Sequence, residues 1–179
     1  MSEAVLPVAR ERMNSHSSDA FVVSCIDPRF HAAIHQFIQA KHPGSFDSFL
    51  SIPGGAGILA YATTNLINPR DSQTVDAVKI SRATRALVTT IDALEVASTL
   101  HNIQHLYLFC HTNCGGYRIP KRYCEMQQQK RDLLSVKDFL QEAMTPYLDA
   151  VTPHLYIADG HSMQHPDSVV MRKIVSSKP

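Results

Sequence analysis

Cys25-Ile26-Asp27-Pro28-Arg29 and His111-Thr112-Asn113-Cys114-Gly115-Gly116 hold the side chains of this chain best suited to chemistry. Two thiolates and an imidazole make a soft S₂N donor set, and that set suits zinc. Cys25, His111 and Cys114 are therefore the expected metal ligands, with Zn²⁺ as the expected cofactor. Zinc held by three protein groups keeps one position open, where a bound water ionises near pH ~7 and supplies hydroxide. Asp27 is the carboxylate placed to accept that water's hydrogen bond. Arg29, two residues on, is placed to grip Asp27 in a bidentate pair. If that pair breaks, Asp27 becomes a candidate fourth ligand that closes the site. The same two residues also suit a structural ion pair capping a following helix.

The two motifs lie far apart in sequence, so secondary structure has to bring them together. Each closes an apolar run, Phe21-Val22-Val23-Ser24 in one case and Leu106-Tyr107-Leu108-Phe109-Cys110 in the other. Such runs read as buried strands. Ligands of open α/β sheets gather beyond the carboxyl ends of strands, so two neighbouring strands would make the three ligands converge. Further strands are expected at 48–52 and 154–158. A helix is expected after Pro28, carried by Phe30, Ile34, Phe37 and Ile38 and ended by Pro43-Gly44. A second is marked by Ala86, Leu87, Ile91, Leu94, Val96, Ala97 and Leu100, and a third runs through Val136, Phe139, Leu140 and Met144. Residues 53–57 read as a backbone-permissive turn, 66–79 as a surface loop and 117–130 as a polar, basic segment. The expected fold class is α/β, a parallel-centred sheet flanked by helices. Residues 1–19 read as an N-terminal arm, 20–160 as the zinc domain and 161–179 as a mostly polar tail. Val169-Val170-Met171 in that tail is an apolar patch for packing on the body or on a partner.

Composition narrows the function classes. The 179 residues are 44% hydrophobic and 18% charged, with net charge +1, so no basic field is available to attract nucleic acid. No apolar stretch approaches the roughly 20 residues of a membrane span. The first residues, Met1-Ser2-Glu3-Ala4-Val5-Leu6-Pro7, lack the basic and apolar regions of a secretory signal. Four cysteines do not make a disulfide scaffold at this length, and two of them stand in the motifs. A cytoplasmic, thiol-preserving location is expected.

Other reactive side chains have plainer readings. Cys110 adjoins His111, so strand alternation turns it to the opposite sheet face and into the core. Cys124 reads as a free thiol. His31 and His35 stand one helical turn apart, a spacing that suits a metal but more often marks partly exposed side chains; one of them is a candidate proton shuttle. Gly115 and Gly116 suit either a plain turn or backbone amides directed at the thiolates. Residues 53–57 suit an ordinary strand-to-helix loop or a pocket wall.

With both motifs in place, the chain resembles the β-class carbonic anhydrases over residues 20–160. That family pairs Cys-x-Asp-x-Arg after its first strand with His-x-x-Cys after a later one, matched here by Cys25, Asp27 and Arg29 and by His111 and Cys114. Thr90-Ile91-Asp92-Ala93-Leu94-Glu95-Val96-Ala97 resembles the helix before the second motif, and Leu155-Tyr156-Ile157-Ala158-Asp159-Gly160 a later strand. Pro28 stands where the family usually has Ser, and residues 51–57 replace its usual Arg-Asn-Ala segment. The resemblance implies zinc-dependent, reversible hydration of carbon dioxide to bicarbonate by metal-bound hydroxide. It also implies an Asp27–Arg29 switch and a homodimer or higher homo-oligomer. A COS or CS₂ hydrolase shares the same zinc chemistry, and a zinc-bearing homologue without turnover shares the same ligands. The three readings differ in the pocket.

Overall fold

β1 (Ala20–Cys25) is buried along its whole length, as strands are when helices cover both faces of a sheet. Asp27 then caps α1 (Pro28–Lys41): its carboxylate accepts the Arg29 backbone N–H, and Pro28 opens the first turn. Proline costs little there, because the first-turn N–H groups have no helical partner. Phe30, Ile34 and Ile38 form the buried stripe of this helix, at helical spacing.

The chain continues through β2 (Ser48–Ile52), a 3₁₀ turn (Gly55–Ile58), α2 (Leu59–Ile67), α3 (Ala77–His101) and β3 (His105–His111). It ends with α4 (Glu125–Ala143), the short α5 (Thr145–Leu148), β4 (Thr152–Gly160) and β5 (Val169–Ile174). These elements come from a computed structural model that describes residues 18–43, 48–67, 77–116, 124–160 and 169–175.

One five-stranded sheet runs in the order β2-β1-β3-β4-β5. β1 pairs in parallel with β2 and with β3, and β3 in parallel with β4. Only β5 is antiparallel, against β4. The expected class, an α/β protein with a parallel-centred sheet flanked by helices, is the observed one. Side chains alternate between two cores. Ala20, Val22, Tyr107, Phe109, Tyr156 and Ala158 pack with Phe30, Ile34 and Ile38 of α1. Val23, Leu106, Leu108, Leu155 and Ile157 face the opposite way, towards α2, α3, α4 and α5. Leu108 is wholly buried mid-sheet, and truncating it to alanine should cost about 2–5 kcal/mol.

The strand order matters for the site. From β1 the chain crosses to β2 over one face, then returns over the other face to lay β3 on the opposite side of β1. The order therefore reverses between β1 and β3. Sheets of this kind leave a crevice at such a reversal, outside the carboxyl ends of the strands.

Several segments differ from expectation. α2 was not foreseen, because Leu59-Ala60-Tyr61-Ala62 is short and apolar throughout and shows no period. α3 begins at Ala77, inside the expected 66–79 loop, whose middle lies outside the described residues. α4 begins at Glu125, inside the expected polar segment. The Val169 patch packs on the body as β5. Its sequence, Val-Val-Met-Arg-Lys-Ile, carries two charges and none of its residues is fully buried, as an edge strand allows. Residues 1–17 of the expected arm lie outside the described residues. Among the described residues, no helix is long and apolar enough to cross a membrane.

Candidate metal centre

Cys25 is the last residue of β1 and His111 the last of β3. Their strands are direct parallel neighbours, so both side chains reach the crevice. Cys114 arrives by a tight reversal after β3, in which Asn113 takes a positive φ of 54°. Asparagine tolerates that conformation better than most residues. One ligand atom from each of Cys25, His111 and Cys114 lies within 4.8 Å of the others, and all three residues are buried. The expected ligand set is thus brought to one point.

The donors fit zinc. The Cys25 and Cys114 Sγ atoms stand 3.7 Å apart. Two thiolates about 2.3 Å from one tetrahedral zinc stand at nearly that separation. His111 Nδ1 donates to the Thr112 carbonyl at 2.9 Å. That bond fixes the tautomer and leaves Nε2 with the lone pair, the usual way a ligating imidazole is oriented. His111 Nε2 is buried without a hydrogen-bond partner among the described residues. A native interior rarely leaves such an atom orphaned, and a cation beside the two sulfurs would satisfy it. Phe30 lies over the imidazole, with ring centroids 4.2 Å apart, and restricts its rotation.

Backbone amides favour negative charge on the sulfurs. Gly54 N–H donates to Cys25 Sγ at 3.4 Å, and the nearby Gly116 amide favours the charged form of Cys114. The Cys25 thiol is pulled well below its ordinary range, first by the hydrogen bond from Cys114, with His111 and the Gly54 and Asp27 amides adding to it against burial. Cys114 is pushed up, because Cys25 holds its proton and because it is buried. The pair therefore shares one proton, which a soft cation would displace.

Asp27 stands at the solvent side of the triad. Its Oδ2 is 3.9 Å from His111 Nε2, too far for a hydrogen bond. Arg29 engages both carboxylate oxygens, through Nε to Oδ1 at 2.8 Å and through Nη2 to Oδ2. This grip, more than any other influence, holds the Asp27 carboxyl below the usual range. Arg29 Nη2 also reaches the Asn113 carbonyl at 3.4 Å. The bidentate pair and the helix cap coexist on one carboxylate.

No family model matches the chain, and no curated protein matches it. It is similar to a solved structure, the b-carbonic anhydrase CafA of the fungal pathogen Aspergillus fumigatus. Identity is 14% and the TM-score 0.42, over 93% of this chain and 79% of that one.

The remaining candidates separate. Cys110 turns away from His111 into the core that also packs Cys25 and Cys114, outside the triad, its thiol pushed up by burial. Cys124 is an exposed free thiol. His31 and His35 do not act together: His31 Nε2 donates to the Cys25 carbonyl at 2.8 Å, while His35 stacks on Phe49. Residues 53–57 are more than an ordinary loop, because the Gly54 amide reaches the Cys25 sulfur. Gly55 has φ +60°, and a β-carbon there would come within 2.7 Å of the Phe109 carbonyl oxygen. The Gly-Gly pair directly after a strand was the signal for that close approach.

Proposed function

We propose that this chain is a zinc enzyme that interconverts carbon dioxide and bicarbonate, with Cys25, His111 and Cys114 as the metal ligands. The observation that carries the reading is His111 Nε2, buried without a partner and facing two thiols at the strand-order reversal. Bound there, zinc would supply an open coordination position and a water acidified towards pH ~7.

The chain's own residues do the rest. The amides of Gly54 and Gly116 share the negative charge of the thiolates, which keeps some Lewis acidity at the metal. Asp27, ionised and held by Arg29, serves as a fixed acceptor that orients a water towards the substrate carbon. Phe30 and the Gly54–Gly55 turn wall the site on its inner sides. Carbon dioxide is small and apolar and needs little recognition, so the replaced 51–57 segment is compatible with turnover.

The same proposal includes a homodimer. Among the described residues β2 is an edge strand, paired on one side only, and a second copy is the partner proposed for its open edge. It includes a reducing, cytoplasmic setting, which the site's thiols need.

Stopped-flow hydration of carbon dioxide, on protein with its zinc content measured, tests the reading. A rate above buffer that rises between about pH 6.5 and 9 is expected. Zinc-replete protein with no rate across that range would favour a non-catalytic zinc protein, and turnover of COS or CS₂ alone would move the substrate.

A further inference from the structure

Gln129 lies in the second turn of α4 and is completely buried. A buried amide is costly unless it is paired. Its Nε2 donates to the backbone carbonyl of His111 at 2.8 Å. Its Oε1 is buried with no partner among the described residues. Turning the amide over would set oxygen against oxygen at His111, so the donor orientation is fixed.

Glu125 stands one helical turn earlier, a spacing at which side chains share a face. Its Oε1 accepts the Asn113 backbone N–H at 2.8 Å and a weaker bond from Gln129 Nε2 at 3.4 Å. As the first residue of α4, the carboxylate is also favoured by the positive end of the helix. Asn113 is the residue in the left-handed conformation, where the chain reverses between two ligands. The far side of this loop is held by β4. Gly160 N–H donates to Thr112 Oγ1, and Thr112 N–H to the Ala158 carbonyl, each at 3.1 Å. The His111–Cys114 loop is thus clamped from a helix on one side and a strand on the other.

We infer that Glu125 and Gln129 are positioning residues that fix the His111–Cys114 loop and hold His111 and Cys114 at the separation a metal ion requires. The inference rests on the proposed ligand set. Their hydrogen bonds to the loop go to its backbone, not to the Cys25, His111 or Cys114 side chains. They act on the two backbone groups, His111 C=O and Asn113 N–H, that set the course of the loop. Partners of this kind typically contribute about 10–100-fold to metal affinity.

Co²⁺ serves as the probe, because thiolate ligation gives it an intense near-ultraviolet charge-transfer band. The full chain is stripped of metal and titrated with Co²⁺, in wild type and in Gln129→Met, Glu125→Ala and Glu125→Gln. Wild type should bind close to one equivalent with the thiolate band. Gln129→Met, nearly isosteric but without the amide, should bind about 10–100-fold more weakly, with an altered visible spectrum. Its metal-free thermal stability should change little, since one unsatisfied buried oxygen is removed while the His111 carbonyl loses its donor. Glu125→Ala should weaken binding about tenfold. Glu125→Gln keeps the acceptor and should restore most of the affinity. Glu125 is only half-buried, so its variants carry the test if Gln129→Met does not fold.

Wild-type affinity and spectrum in both Gln129→Met and Glu125→Ala would overturn the inference. So would a loss of metal-free stability in either variant with unchanged Co²⁺ affinity, the result of a purely structural role. Wild type that binds no Co²⁺, or binds it without the thiolate band, would instead overturn the ligand set, and the inference with it.

Discussion

Gly116 is pressed against Gly54. A β-carbon on Gly116 would stand 2.7 Å from the Gly54 nitrogen and 3.0 Å from the Pro53 carbonyl carbon. Both of those atoms are backbone and cannot swing aside. The contact joins the loops after β2 and β3, and each loop brings an amide to a thiol of the triad: Gly54 bonds Cys25 Sγ, and Gly116 favours the charged form of Cys114. Gly116→Ala must push the loops apart and move both amides away from the sulfurs. Zinc affinity should fall by about tenfold or more. Gly115 is the control, because a β-carbon there meets nothing within 4 Å, and Gly115→Ala should bind zinc like wild type. Competition with a chromophoric chelator measures both.

The thiolates should dominate metal retention. Cys25→Ser and Cys114→Ser each replace a soft ligand with a hydroxyl that stays protonated at neutral pH. Each should lose more affinity than the roughly 10–100-fold typical of outer partners. Elemental analysis after gel filtration should find about one zinc per chain in wild type and little in either variant. Cys110→Ser should retain zinc, because Cys110 stands outside the triad of mutually close donor atoms, though a buried hydroxyl in that core will lower stability. Full retention in both ligand variants would rule out the assignment.

The centre of this fold was legible because its strands are strongly patterned. β1 and β3 are long apolar runs ended by motifs, and α1 carries a clear helical stripe after an Asp-Pro cap. That Cys25, His111 and Cys114 would cluster was legible from residue type and from their place at or just after strand ends. What surrounds them was not. Gln129 sits in a polar stretch, Gln127-Gln128-Gln129, where nothing local distinguishes the one buried glutamine from its neighbours. Its role comes from α4 docking against β3, a tertiary fact. Gly54 and Gly116 were visible as turn glycines, but their mutual contact depends on the register of β1 between β2 and β3. β5 escaped because its burial is partial: its apolar run, Val169-Val170-Met171, is only three residues long and is followed by two charges.

Acid should weaken the end of the sheet opposite the ligands. His154 on β4 is depressed to about 4, by burial first and then by the positive fields of His105, Lys173, His42 and Lys41. His105, whose Nδ1 lies 3.1 Å from His154 Nε2, is also lowered, mainly by burial. A histidine of the unfolded chain titrates near ~6.5. Between that value and about 4 the unfolded chain binds more protons, so stability should fall as pH drops through this window and be fully present above it. The ring is only part-buried, so about 1 kcal/mol is expected of His154 after allowing for solvent screening. His154→Phe preserves stacking on Tyr107 and removes the titration. Urea unfolding at pH 7 and pH 4.5 should show a smaller acid loss in this variant than in wild type, and equal losses would argue against the assignment.

Arg29 should decide whether Asp27 serves turnover or blocks it. Arg29 occupies both Asp27 oxygens, and the Arg29 backbone N–H occupies Oδ1 again as the helix cap. The carboxylate is already 3.9 Å from His111 Nε2, so a modest side-chain rotation would carry it to a metal held by that nitrogen. Arg29→Ala removes the guanidinium but keeps the cap, since that bond comes from the backbone. The variant should fold and retain about one zinc, because no ligand has changed. Its hydration rate at neutral pH should fall by at least about tenfold, with a crystal structure showing Asp27 bound to zinc. Lysine cannot reproduce the fork geometry, so Arg29→Lys should recover only part of the rate. The double variant Asp27→Asn, Arg29→Ala separates two accounts of the loss. If Asp27 merely blocks the metal, an amide, being a poorer ligand, should restore much of the rate. If Asp27 must also accept the water's hydrogen bond, the double variant should remain slow while its metal site stays open. An open site in Arg29→Ala itself, with wild-type activity, would show that contacts other than Arg29 hold the carboxylate in place.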